Sequence, residues 1–451
     1  MALPTVVITD PLPGRRVAEP VRFTVDAALD GDLWIARTDA GEHVHCQRLA
    51  HGAARGRTTF AAVVSFEERA ELTLIGPASG TVEGIRRREP READAFVRLD
   101  TGYFDLEMCT GTARGTGDSK WGLRHFSATA EGVDLLPSGN NAIGGFYGPF
   151  FTPENGLVNP PEHTTVDIEA VEEGPVLHHY RMHGTVPDGL LEELRGKRFS
   201  VDWIFTHGTP YFTRTYRVDD FQTVINGRSV TDKITVGDEF ESGVGDIVFT
   251  RFEAYDGTRY RAGDPYAQEL KSTVSSLLES ETDRSEKFRT FKALLTDGLD
   301  SAHWDLYWRL LSTWEGALPD IDLAEHLRRV MKSSHIRADL GDRPWIFARG
   351  GVEVSAVPDE TIFAGASDKT VEYHPGRGQA MIWQTSRPSG AFQIVQRRQS
   401  GWVNWGTNGE NECPELPVGA RIKTAYGPFI DEWTAVADGL ESPPRVTVER
   451  G

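Results

Sequence analysis

A chain of 451 residues exceeds what one hydrophobic core ordinarily covers, so more than one folding unit is expected. A hydrophobic fraction of 39% against 25% charged residues is that of a folded globular protein, and the formal net charge of -19 excludes a phosphate-neutralising nucleic-acid surface and an anionic membrane surface as primary partners. Cys46, Cys109 and Cys413 are too few and too scattered for a disulfide framework or a zinc site.

Along the chain, short β-rich runs come first: Val6 to Thr9, Val21 to Val25, Leu33 to Arg37, Thr59 to Val64 and Glu71 to Ile75. Pro13-Gly14 and Asp30-Gly31-Asp32 punctuate them, and strands at this spacing predict a small N-terminal β-sandwich over residues 1–92. The polar stretch Arg86 to Glu92, broken by Pro90, reads as the boundary. From 93 to 451 longer alternating runs predict a large antiparallel sheet system, including Tyr103 to Met108, Val166 to Val171, Pro175 to His183, Phe199 to His207, Tyr211 to Val218, Lys233 to Val236 and Asp246 to Tyr255. Between about 264 and 336 the apolar period becomes helical, as in Phe288, Phe291, Leu294 and Leu295, which predicts a helical insertion. Strands resume at Trp345 to Ala348 and are expected to continue to the end of the chain. The fold class is thus mostly β, a small sandwich followed by a larger β unit with inserted helices.

The start of the chain has no basic region leading into an apolar one, and no run of about 18 apolar residues occurs; a cytoplasmic protein without membrane partners is expected.

Two stretches carry a family resemblance. One is Val171-Glu172-Glu173-Gly174-Pro175-Val176-Leu177-His178-His179-Tyr180-Arg181; the other runs from Phe199 through the Gly208-Thr209-Pro210 turn to Val218. An acidic Gly-Pro turn into an aromatic-basic strand, then two strands joined by a Gly-x-Pro turn, resembles the core of galactose-mutarotase-like β-supersandwich proteins. The hairpin read over Thr38 to Gln47 resembles those of the small β units that precede such modules. The resemblance implies a supersandwich and a carbohydrate partner; it transfers no individual catalytic residue.

Strand alternation puts His179, Arg181 and His183 on one face, with His178 and Tyr180 on the other, while Arg214 and Tyr216 share a face of a nearby strand. If His179, Arg181, Arg214 and Tyr216 meet in one cleft, an arginine can neutralise a carboxylate and His or Tyr can move a proton, the two services that eliminative cleavage of a uronate needs. The long aromatic loop 139–163 offers Asn141, Tyr147, Glu154 and His163 for a sugar site. Lys120, Trp121 and Arg124 place cations beside an aromatic ring, and Trp402, Trp405 and Glu410 offer stacking faces and a carboxylate. Glu410 and Glu412 could instead ligate a hard cation such as calcium; no transition-metal spacing exists among the histidines.

The leading expectation is a carbohydrate-active enzyme cleaving an oligosaccharide or glycoside by lyase chemistry. Glycoside hydrolysis by two of Glu154, Glu410 and Glu412 is the next reading, then a sugar epimerase or mutarotase, then a non-catalytic carbohydrate-binding subunit. A homo-oligomer is left open.

Overall fold

The computed structural model describes residues 4–50, 56–112, 119–136, 142–147, 164–186, 196–219, 419, 421–429 and 432–449, together with the separate strands between 222 and 417 named below. The first unit begins with β1 (Thr5–Thr9), β2 (Arg15–Val25), β3 (Leu33–Thr38), β4 (His43–Leu49), β5 (Thr58–Glu67) and β6 (Arg69–Pro77). Next come β7 (Arg86–Arg88), β8 (Ala95–Asp100), β9 (Phe104–Cys109), β10 (Gly122–Ala128), β11 (Ala142–Tyr147), β12 (Asp167–Glu173), β13 (Leu177–Thr185), β14 (Arg198–Thr206) and β15 (Tyr211–Val218). Shorter strands follow: β16 (Gln222–Ile225), β17 (Arg228–Thr231), β18 (Lys233–Glu239), β19 (Arg251–Tyr255), β20 (Val352–Val354), β21 (Glu360–Ala366) and β22 (Asp368–Tyr373). The chain then forms β23 (Gln379–Thr385), β24 (Ala391–Arg397), β25 (Trp402–Thr407), β26 (Leu416–Pro417), β27 (Arg421–Gly427), the helix α1 (Trp433–Glu441) and β28 (Arg445–Glu449).

The first unit is one seven-stranded sheet, in the order β2-β5-β4-β3-β6-β1-β28, where a two-layered sandwich was expected. An extra β5–β6 pairing at Glu67 and Arg69 curls it nearly into a barrel. The curl encloses Val6, Phe23, Trp34, Cys46, Phe60, Leu72 and Leu74, so one sheet supplies both walls of its own core. β28 pairs along the whole of β1, from Thr5↔Glu449 to Thr9↔Arg445. The last strand therefore belongs with the first sheet, although residues after 93 read as a separate unit.

The two large antiparallel sheets are ten-stranded (β21-β24-β25-β18-β11-β10-β9-β8-β7, with β26 beside β18) and nine-stranded (β12-β13-β14-β15-β27-β23-β22-β19-β20). They pack face to face through aromatic rings. Phe104 and Phe126 of the ten-stranded sheet meet Phe212 of the other, Phe126 meets Tyr426, and Trp121 stacks on Phe199. Alternation along β14 explains the face: Val201, Trp203 and Phe205 are buried inward, while Ser200, Asp202 and Ile204 take the opposite side.

The helix α1 interrupts what the sequence suggests is uninterrupted strand. Ala437 and Leu440, with Val436, pack on Tyr211, Ile382 and Ala425, and Pro443-Pro444 ends it. The predicted helical insertion at 264–336 lies outside the described residues, as does the strand predicted at Trp345 to Ala348. Among the described residues no helix is long and apolar enough to cross a membrane.

The first unit docks against the outer face of the nine-stranded sheet. Gln47 on β4 grips the Gly174-Pro175 turn: its Oε1 accepts from Val176 N and Leu177 N at 3.0 and 2.8 Å, and its Nε2 donates to Leu177 O at 3.0 Å. A Cβ at Gly174 would fall 2.3 Å from Gln47 Cδ, so only glycine permits this approach. Around it Leu49, Ala61, Val176 and Leu177 form a small apolar junction.

Candidate functional site

Between the first unit and the nine-stranded sheet lies a cleft with a cavity volume of about 400 Å³. Its floor is the outward face of four consecutive strands, and the register arranges the floor in rows. One row runs Arg181↔Asp202↔Thr215↔Arg421; the adjacent row runs His179↔Ile204↔Thr213↔Lys423. Residues two apart on each strand share this face, which is why both rows look into the same space. The wall is β2, which contributes Glu19, Pro20, Val21 and Arg22, with Ala61 of β5 beside it.

The lining carries Arg22, His179, Arg181, Arg217, Arg421 and Lys423 against the two acids Glu19 and Asp202. At one end, Asp202 Oδ1 accepts from His179 Nε2 at 2.8 Å and Arg181 Nε at 2.7 Å, while Arg217 Nε stands 3.5 Å from Oδ2. Burial alone would raise the Asp202 pKa, but its His179 and Arg181 partners outweigh burial and hold it down at about 2. Asp202 is then a carboxylate at any ordinary pH and can only accept. His179 must donate from Nε2, which leaves the neutral imidazole with its lone pair on Nδ1.

At the other end, Glu19 accepts from the Tyr211 hydroxyl at 3.3 Å, and Lys423 Nζ lies 5.4 Å from the centre of the Tyr211 ring. Burial raises the Glu19 pKa above its usual value, pushes Tyr211 well above 10, and lowers Lys423 to about 8. Lys423 also donates to Leu440 O at 2.5 Å. Arg16 donates to Gly439 O and Ser442 O, both at 2.7 Å, and binds Asp10 through Nε and Nη2. Two cations from outside the helix thus serve the carbonyl end of α1, which has no basic residue in its own last turn. A bulge in β2 makes this possible. Its register shifts between Arg16 and Glu19, so two residues that simple alternation would put on opposite faces are both buried at the junction. Within the bulge Ala18 takes a left-handed φ of 49° and Val17 is exposed.

Of the residues singled out from the sequence, His179 and Arg181 line this cleft together. Arg214 and Tyr216 do not join them. They sit on the inward face of β15, both essentially inaccessible, and Arg214 pairs bidentately with Asp238 of the opposite sheet at 2.6 and 2.9 Å. The alternation that grouped Arg214 with Tyr216 is right, but their shared face is the core; Tyr211, Thr213, Thr215 and Arg217 are the β15 residues in the cleft. His178 and Tyr180 point inward as alternation predicts, Tyr180 against Phe96, and burial lowers His178 to about 4.

Lys120, Trp121 and Arg124 are all buried, and Trp121 stacks on Phe199 at 5.5 Å, so its ring faces protein where an open sugar platform was expected. Tyr147 lies on β11, and Trp402 and Trp405 on β25; their side chains are outside what the structure describes, as are the residues Asn141, Glu154, His163 and Glu410. Among the described residues no three His, Cys, Asp or Glu side chains are placed to hold a metal ion; the carboxylates considered for calcium, Glu410 and Glu412, lie outside them.

Sequence reading missed Asp202, Glu19, Arg22, Arg217, Arg421 and Lys423. Asp202 gave a usable signal, a lone charge in the apolar run Phe199 to Phe205; Arg421 and Lys423 alternate with Ile422 in the same way.

No protein-family model matches the chain, and no curated protein matches it. Among solved structures the chain is similar to an alpha-mannosidase from Enterococcus faecalis V583, with a TM-score of 0.47, 8% identity, and coverage of 100% of this chain and 46% of that one. It is also similar to a protein in the glycosyl hydrolase family 38 from Enterococcus faecalis, with a TM-score of 0.49, 8% identity, and coverage of 100% and 47%. The chain spans less than half the length of either, and no chemistry transfers from a likeness at this level.

Proposed function

We propose that this is a carbohydrate-active protein whose inter-unit cleft takes an acidic saccharide, and that its reaction is eliminative cleavage beside a uronate. The carrying observation is the concentration of six basic side chains against two acids in one cleft of a chain whose net charge is -19. A basic cleft in an acidic molecule focuses its field on anionic ligands. The supersandwich resemblance of residues 171–181 and 199–218 supports a sugar as the body carrying that charge.

In this reading the terminal amino groups of Arg181, whose recorded hydrogen bond uses only Nε, receive the uronate carboxylate. Neutralising that carboxylate makes the proton on the adjacent ring carbon removable. His179 Nδ1, which carries the ring lone pair while Nε2 donates to Asp202, takes it. The bond from the neighbouring ring carbon to the glycosidic oxygen breaks, a ring double bond forms, and the departing oxygen takes up a proton from water.

Purified protein incubated with a panel of polyuronates tests this. The reading expects a rise in ultraviolet absorbance from unsaturated uronate ends, lost in His179→Ala. New reducing ends without that absorbance would replace it with hydrolysis, and no binding or turnover of any acidic glycan would overturn it.

A further inference from the structure

The cleft floor carries cations at both ends, with Asp202 and Ile204 next to the first end and the hydroxyls of Thr213 and Thr215 next to the second. In the row Arg181↔Asp202↔Thr215↔Arg421 the two arginines are three strand spacings apart, which separates their backbones by about 14 Å. The neighbouring row has His179 and Lys423 at its ends and Ile204 and Thr213 between them. Each end presents more than one cationic side chain to the cleft. Arg181 and Arg217 exceed the single Asp202 at the first. At the second, Arg22, Arg421 and Lys423 line the cleft together with Glu19. A ligand with one anionic group can reach the cations of one end only.

The geometry points to a ligand with two anionic groups held apart by a neutral, hydroxyl-bearing middle: an oligosaccharide of two or three linked residues with an acidic group toward each end, rather than a single sugar acid. This deepens the reading above and rests on it. Arg181 and Arg217 take one acidic group; Arg421, Lys423 and Arg22 take the other; Thr213 and Thr215 face the ring hydroxyls between. Pro443 and the β2 segment from Glu19 to Arg22 complete the lining.

Calorimetric titration with galacturonate, its α-1,4-linked disaccharide and its trisaccharide tests this, alongside the trisaccharide methyl ester. The di- or trisaccharide should bind at least about tenfold more tightly than the monosaccharide, the scale of one charge-assisted contact. Arg181→Met and Arg421→Met should each remove that advantage, leaving the monosaccharide within about threefold of wild type for at least one of them. Arg421 is exposed, so Arg421→Met should retain the wild-type melting curve, while Arg181→Met gives up its bond to Asp202 and is titrated at a temperature below its own melting transition. A monosaccharide that binds as tightly as the longer chains, or an Arg421→Met variant that binds every ligand normally, overturns the two-ended cleft and leaves the acidic-saccharide reading standing. If no galacturonide binds and no polyuronate is cleaved, both fail.

Discussion

Arg214 and Asp238 join the two large sheets by a bidentate ion pair from which water is wholly excluded. Burial works against the charge on Arg214, yet Asp238 outweighs it and holds the guanidinium pKa above its ordinary value. Rings of Trp203, Phe212 and Trp383 surround the guanidinium at 5.1 to 5.6 Å, and Thr424 Oγ1 accepts from Nη2. The pair cross-links the sandwich with a geometry that apolar packing alone does not dictate.

Breaking that pair from one side should be severe. Arg214→Met or Asp238→Leu alone leaves an unpaired buried charge and should cost about 3–5 kcal/mol in urea unfolding. The double variant should recover a large part of that loss, because neither charge is then stranded. Equal losses for single and double variants would contradict the assignment of the cost to the stranded charge.

Asp202 positions His179 and should reveal itself through pH. Its folded pKa of about 2 lies below the unfolded value near 3.8, so it contributes stability above about 3.8 that is lost as pH falls toward 2. Urea midpoints measured from pH 2 to 5 should show this slope in the wild type and less of it in Asp202→Asn. The same variant should cut turnover by about 10²- to 10⁴-fold and alter the pH–rate profile, since the imidazole tautomer is no longer fixed.

Lys423 should give the cleft a second pH dependence, in the alkaline range. With a folded pKa of about 8, lowered by burial from 10.5, the amine loses its charge as pH rises through 8. Affinity for an acidic saccharide should therefore fall between about pH 7 and 9 and be flatter in Lys423→Met. Stability has the opposite sign: the unfolded chain binds the proton more strongly between about 8 and 10.5, so this group favours the folded state increasingly across that window.

Gln47 should matter more than an ordinary amide. Gln47→Ala strands two backbone N–H groups and a carbonyl at the Gly174-Pro175 turn, and should cost about 1–3 kcal/mol. Because the lesion loosens the wall of the cleft, ligand affinity should fall with it, which calorimetry on the variant would register.

The sequence carried the strand grammar well. The hairpin at Thr38 to Glu42, the Gly174-Pro175 turn and the Gly208-Thr209-Pro210 turn join strands where their residues predict, because Gly and Pro constrain the backbone locally. His179 and Arg181 were legible for the same local reason. Which side of β15 faces the core was not, since Arg214 looks like a surface residue until its partner Asp238 arrives from another sheet. Nor could alternation foresee that the β2 bulge turns Arg16 and Glu19 the same way, or that Lys423, from the far end of the chain, meets Glu19 there. Helix α1 is hidden because its nine residues span too few turns for Val436, Ala437 and Leu440 to establish a helical period beside the strands.

The pairing of β1 with β28 makes the small sheet a late product of folding. Its six early strands lie close together in sequence, but the row of hydrogen-bonding groups along β1 stays open until Arg445–Glu449 comes back to it. Closing so large a loop is entropically costly unless the intervening sheets have already collapsed and shortened the distance. The small unit should therefore gain its full protection from hydrogen exchange only after the large sandwich has formed, with β1 as an aggregation-prone edge in the meantime.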